Sequence, residues 1–183
     1  LAFAVSVRSG LFNIGVENAV YLGALGMVLA SGLLRADTPL VLVIGSLMGL
    51  GLSVLFSLIA ASLKVLRGVH EVITTIMLNW IAYWLVDYVR VNVFPDPRDP
   101  SKTIAVPSSA HIPLLIVGTE LSASFIIAIL ASLTTYFILW YTVFGYELRA
   151  TGINLMAARY AGMKTSRLII LSFLFSAVLG GLA

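Results

Sequence analysis

An all-α fold, a polytopic bundle of transmembrane helices with about five spans and a short cytoplasmic helix, is predicted by three observations. Apolar residues make up 60% of the 183 residues and charged residues only 10%, where a soluble domain has about 25% charged. Four apolar stretches are each long enough to cross a hydrocarbon core of about 30 Å. A polar segment, residues 145–167, is wedged between two apolar ones and carries its own helix start and stop. The chain has no cysteine, which excludes disulfides and thiolate metal sites. Its net charge of +3 does not argue for nucleic acid; in a membrane chain the placement of charges carries the information.

The apolar stretches are 11–34, 39–63, 71–91, 121–143 and 168–183. The last has 16 residues, and at 1.5 Å per residue it reaches about 24 Å, short of the core. Leu1 to Val7 reads as the end of an earlier span, so residues 1–183 are expected to be one transmembrane domain, truncated inside a span at each end. Arg35, Asp37, Thr38 and Pro39 make one turn; Lys64, Arg67, Gly68 and His70 make the next. Residues 92–120 form a longer loop with five prolines (Pro95, Pro97, Pro100, Pro107, Pro113). Proline blocks regular helix, so this loop is expected to be irregular, with a short re-entrant piece at 112–117.

Lys and Arg set the orientation. Arg8, Lys64, Arg67, Arg149, Arg159, Lys164 and Arg167 fall on one set of connections; Arg35, Arg90, Arg98 and Lys102 fall on the other. The richer set is placed in the cytoplasm. Asp37, Asp87, Asp96, Asp99 and Glu120 lie on the poorer side. Small residues recur every four positions at Gly45, Gly49, Ser53, Ser57 and Ala61, at Ser124, Ala128 and Ser132, and at Ser172, Ser176 and Gly180. Such ladders let helix backbones approach closely in lipid and argue for a multi-helix bundle.

Polar groups inside a span are costly, about 2.5–3.5 kcal/mol for a central charge, so those present call for a role. Asn13 and Glu17 are four apart, which places them on one face of a continuous helix, with Asn18 beside them. Glu71, Thr74, Thr75 and Asn79 trace a second stripe, running about 12 Å inward from the cytoplasmic end. Asn13, Glu17, Thr74, Thr75 and Asn79 are the candidate lining of a solute path. The alternative for each is an interhelical hydrogen bond, and for Glu71 a helix-start charge. Trp80, Trp84 and Trp140 read as interfacial belt or as packing. Asp96 and Asp99 have no second acidic motif, and His70 and His111 are isolated, so no metal site is expected. There is no phosphate-binding Gly-x-x-x-x-Gly-Lys-Ser/Thr loop, and no catalytic nucleophile arrangement. Active transport would draw its energy from another polypeptide or from an ion gradient.

Within 145–167, Gly152 and Asn154 offer a turn and an N-cap, Leu155 to Ala161 is rich in helix formers, and Gly162 is a stop. A short helix on the cytoplasmic face is suited to docking a soluble partner.

Three separated motifs resemble the ABC importer permeases for nucleosides and simple sugars. Gly10-Leu-Phe-Asn-Ile-Gly-Val-Glu17 with Gly23-Ala24 is similar to their Asn-Ile-Gly-x-Glu-Gly-Gln stretch, departing at Asn18-Ala19. Glu71-Val-Ile-Thr-Thr-Ile-Met-Leu-Asn79 matches a second signature, closest to the general nucleoside permeases. Arg149-Ala-x-Gly-x-Asn154 with Ala157-Ala158-Arg159-Tyr-Ala-Gly162 matches the third. The resemblance implies a non-enzymatic transport subunit in the plasma (inner) membrane. Two ATP-binding subunits, a second permease subunit (homologous or identical) and an extracytoplasmic solute-binding protein would be its partners. It would hold no cofactor itself, ATP being bound by the partner ATPase. Residues 145–167 would be the coupling segment. Arg149, Gly152, Asn154, Met156, Ala157, Ala158, Arg159, Tyr160 and Gly162 would form the ATPase-coupling surface, the apolar ones filling a groove and the arginines meeting its rim or lipid phosphates. The competing class is a secondary transporter driven by an ion gradient, for which Glu17 and Glu71 are the available carboxylates. A third, an intramembrane lipid-modifying enzyme, lacks paired acidic or nucleophilic motifs.

Overall fold

The computed structural model describes residues 1–35, 37–97, 99, 101–115 and 121–183. The helices are α1 (Ala2–Arg8), α2 (Val16–Leu34), α3 (Leu40–Arg67), α4 (Glu71–Tyr88), α5 (Ser124–Tyr141), α6 (Val143–Ile153), α7 (Leu155–Tyr160) and α8 (Thr165–Gly181). α4 runs on through a π-helical turn, Val89–Val93. The all-helical bundle expected from the sequence is what forms. Four helices are long and apolar enough to cross a membrane, and α8 is a shorter apolar helix. α3, with 28 residues, is about 42 Å long and exceeds the core, so it tilts or projects.

α2, α3 and α8 pack together at the centre, and the reason is the small-residue ladder of α3. Gly45, Gly49, Ser53, Ser57 and Ala61 all lie on its buried face. A Cβ on Gly26 of α2 would collide with the backbone nitrogen of Gly49, so the two helices touch backbone to backbone. The ladder's hydroxyls bond across the same seams. Ser53 Oγ donates to the Ala19 carbonyl at 2.9 Å, and Ser57 Oγ to the Phe173 carbonyl at 2.8 Å. On α8, Ser172 and Ser176 are buried against α1: Ser172 Oγ lies 2.7 Å from Ser9 Oγ, and Ser176 Oγ donates to the Ala2 carbonyl at 3.0 Å. The ladder of α5 behaves differently. Ser124 and Ala128 are exposed, and α5 is anchored mainly at its end, where Leu139 packs with Val5 and Leu148.

Two boundaries depart from the sequence reading. The stretch 11–34 does not begin as helix: residues 11–14 are irregular and α2 starts at Val16. Gly10 takes φ +74°, a conformation open to glycine. The Asn13 side chain then accepts from the Gly15 amide at 2.8 Å, a local bond that competes with helix. Asn13 and Glu17 therefore share no helical face. The second departure is at Thr142, which ends α5 in extended backbone and caps α6 by accepting from the Gly145 amide at 3.1 Å. Gly152 is consequently helical and forms no turn. Its missing side chain lets α6 lie against the Arg8 carbonyl and Gly10.

Arg8 and Arg149 gather on the Trp140 ring, and Lys64 pairs with Glu71, which also accepts from the Phe12 amide. The loop after α4 folds back toward the α2–α3 turn, Ser109 N donating to Asp37 at 3.2 Å and Phe94 filling the space above Gly32. In that loop the Ser101 amide, then the Lys102 ammonium, hold the Asp99 carboxyl below its ordinary range. Arg98 and Glu120 lie outside the described residues, as do 116 and 117 of the expected re-entrant piece. Residues 112–115 are not helical, and Leu114 bridges Ser122.

Candidate functional site

The non-helical segment 11–14 leads into α2, with Leu11 and Asn13 buried and Ile14 at the edge of a cavity. Asn79, on α4, donates through Nδ2 to the Ile14 carbonyl at 3.2 Å and to the Glu17 carboxylate at 2.9 Å. Its Oδ1 accepts from Asn18 Nδ2 at 3.0 Å. Asn79 and Asn18 are buried, whereas Glu17 is exposed. Both Nδ2 hydrogens of Asn79 are thus engaged, one of them on the Glu17 carboxylate. The carboxylate itself accepts one further bond, from Tyr21 Oη at 3.3 Å, and keeps lone pairs free for a ligand.

Glu17 faces a cavity of about 510 Å³ lined also by Ile14, Tyr21, Ile76, Asn79, Trp80, Tyr83 and Trp84. The rings form a connected wall. Tyr83 meets Tyr21 at 6.1 Å, Trp80 at 6.0 Å and Trp84 at 5.5 Å between centroids, all edge to face. Because the rings contact edge-on, none is stacked face to face on another, and Trp80 and Trp84 stay 59% and 62% exposed. One carboxylate beside a set of open aromatic faces is suited to a flat or hydroxyl-bearing polar solute.

The other candidates of the two stripes lie elsewhere. Asn13 is buried and donates to Ser176 Oγ at 3.2 Å and Ser6 Oγ at 3.4 Å, tying α1, α2 and α8. Thr75 Oγ1 donates back to the Glu71 carbonyl at 2.9 Å, and Thr74 Oγ1 to the His70 carbonyl at 3.4 Å. Glu71 is paired with Lys64 at 2.6 Å and accepts from the Phe12 amide at 3.4 Å. So the structure brings Glu17 and Asn79 together and leaves Asn13, Thr74 and Thr75 off the cavity. The aromatic wall was missed. The signal available for it was the spacing of Ile76, Trp80, Tyr83 and Trp84, which is one helical face. Among the described residues no three His, Asp or Glu side chains converge as a metal site requires.

The second candidate surface is the elbow α6–α7. Asn154 caps α7, its Oδ1 accepting from the Met156 and Ala157 amides at 3.0 Å each, and Gly162 follows the helix with φ +84°. Met156, Ala157, Arg159, Tyr160 and Gly162 are exposed, Tyr160 at 90%. Ala158 is buried against the bundle. Arg149 lies over the Trp140 ring at the edge of a cleft, and Gly152 packs against the Arg8 carbonyl.

Four helices long and apolar enough to cross a membrane, with a capped elbow between two of the later helices, are the architecture of a multi-pass membrane protein. The whole chain, residues 1–183, matches the branched-chain amino acid transport system / permease component family, and it belongs to that family. It is 37% identical over 190 residues to the guanosine ABC transporter permease NupP of Bacillus subtilis, covering all of this chain and 53% of that protein. It is 33% identical over 198 residues to the nucleoside ABC transporter permease NupB of Lactococcus lactis, again covering all of this chain and 53% of the relative. The glucose ABC transporter permease TsgB13 of Haloferax volcanii is 28% identical over 200 residues, covering all of this chain and 52% of its own length. The chain thus spans about half the length of these curated relatives. No solved structure matches it.

Proposed function

We propose that this chain is part of the permease subunit of an ATP-driven ABC importer for nucleosides or related simple sugars. The observation that carries the reading is the exposed Glu17 carboxylate, held by Asn79 and Asn18 beside the aromatic wall. Ring N–H groups or ribose hydroxyls would donate to Glu17, and a base would stack on Trp80, Tyr83 or Trp84. Family membership and the names of the relatives support the same reading.

In this scheme ATP-binding subunits dock on the exposed side of α7. Met156, Ala157 and Tyr160 would enter their groove, and Arg159 its rim. Closure of the ATPases would push on the elbow and bias the bundle between inward- and outward-facing states, the energy coming from differential binding in the partner. Gly152, seated on the Arg8 carbonyl, would pass that push to α1. A second permease subunit and an extracytoplasmic solute-binding protein complete the assembly.

The test is uptake of radiolabelled guanosine, uridine and adenosine by vesicles holding the full-length protein with its ATPase, with and without ATP and with excess ribose or glucose. ATP-dependent nucleoside uptake that the sugars do not inhibit is expected. Inhibition by sugar moves the reading to a sugar permease. Uptake without ATP, driven by an imposed ion gradient, overturns it in favour of a carrier that uses its intramembrane carboxylates.

A further inference from the structure

We propose that the cleft between α1, the end of α5 and α6 binds an anionic phospholipid of the cytoplasmic leaflet. Arg8 and Arg149 would hold the headgroup phosphate, and an acyl chain would lie along Phe3, Val7 and Ile153. The guanidinium carbon of Arg149 sits 4.1 Å from the Trp140 ring centroid and that of Arg8 5.8 Å from it. Two cations are thus gathered on one indole, whose ring offsets only part of their repulsion. Neither arginine has an ion-pair partner among the described residues. Arg149 spends one donor on the Gly145 carbonyl, at 3.4 Å; the remaining donors form the fork that phosphate oxygens match bidentately.

The cleft has a volume of about 580 Å³, and its walls suit the rest of such a lipid. Phe3, Val7 and Ile153 are all exposed apolar side chains, Ile153 at 87%. Trp140 lies two residues before the break at Thr142, where the chain leaves the spanning helix for the elbow. In this binding mode the break would lie at the headgroup level, where indoles concentrate, and on the Lys/Arg-rich side of the chain. An inorganic anion would use the arginines and leave the apolar walls idle. An acidic segment of a protein partner would do the same. A phospholipid uses both, and basic clefts between helices on the cytoplasmic side are suited to anionic headgroups.

The experiment uses the full-length protein with every tryptophan other than Trp140 replaced by phenylalanine, in bilayer nanodiscs. Trp140 fluorescence is read with brominated-chain phosphatidylglycerol or brominated-chain phosphatidylcholine at equal mole fraction. Phosphatidylglycerol is expected to occupy the cleft with about tenfold preference, since each cation near the surface attracts anionic lipid. Arg8→Gln with Arg149→Gln is expected to level the two lipids, and Arg149→Lys to keep part of the preference. Equal quenching in the unaltered protein overturns the proposal, as does a preference that survives the double substitution. Loss of the preference on adding inorganic phosphate assigns the site to a free anion instead. Loss on adding the ATPase subunits assigns it to protein docking.

Discussion

Asn79 on α4 donates to the Glu17 carboxylate on α2 at 2.9 Å, and this bond turns two separate polar stretches into one site. The rest of the Asn79 amide is committed to Asn18 and the Ile14 carbonyl. In the proposed site Glu17 would meet the solute, and Asn79 would aim it.

Glu17→Gln keeps an acceptor for Asn79 but removes the charge. Hydrogen bonds to charged groups contribute about 1.5–3 kcal/mol, so nucleoside uptake should fall about ten- to a hundredfold. Glu17 is exposed, and thermal stability should stay within about 0.5 kcal/mol of the unaltered protein. Uptake kinetics and a melting curve on the same preparation decide the matter. Unchanged uptake would remove Glu17 from the site.

Asn79→Leu strips three hydrogen bonds, the one from Asn18 buried and the other two partly buried, and leaves the Asn18 amide without its acceptor. An unsatisfied buried polar group costs about 1–3 kcal/mol, so a lower melting temperature is expected together with impaired uptake. Adding Asn18→Leu relieves the orphaned donor. The double variant should recover stability and not transport. Recovery of both would make Asn79 a packing residue.

Ala157 and Ala158 are neighbours with opposite exposure. Ala157→Glu should abolish ATP-dependent uptake and ATPase co-purification while the permease melts normally. Ala158→Glu buries a carboxylate and should lower folded yield first. Normal uptake by Ala157→Glu would sink the docking role of α7.

Lys64 and Glu71 form an ion pair in which the Glu71 side chain is 8% exposed. Lys64→Met removes the charged partner of that carboxylate from a partly buried pair and should destabilise the protein by about 1–2 kcal/mol. Lys64→Met with Glu71→Gln should regain most of the loss. The readout is the melting temperature in detergent across this double-mutant cycle, with additive effects of the two changes arguing against the pair.

Gly26→Val tests the α2–α3 seam. A Cβ there meets the backbone of Gly49, which no rotamer change relieves. Folded protein should be lost, whereas Gly51→Val, with open space around it, should express normally. Equal yields from the two variants would mean that the helices do not cross at Gly26.

The sequence by itself determined the class of fold. Helical spans follow from hydrophobic length, because lipid obliges every backbone group to find a partner within its own helix. The ladder of α3 and the capped stop of α7 were legible for the same reason: small residues at period four and an Asn before a helix act through local geometry. Only the tertiary structure decided the site. Glu17 and Asn79 lie 62 residues apart, and no local rule selects Asn79 over Thr74 and Thr75 on the same stripe. Those threonines bond back to their own helix, a choice set by side-chain reach. Asn13 lies in the irregular stretch that follows Gly10, where its side chain accepts from the Gly15 amide and donates to Ser176. The aromatic wall and the Arg8–Trp140–Arg149 cluster likewise exist only where separate helices meet, because ring faces and guanidinium groups are brought together by packing across helices and not by spacing along one.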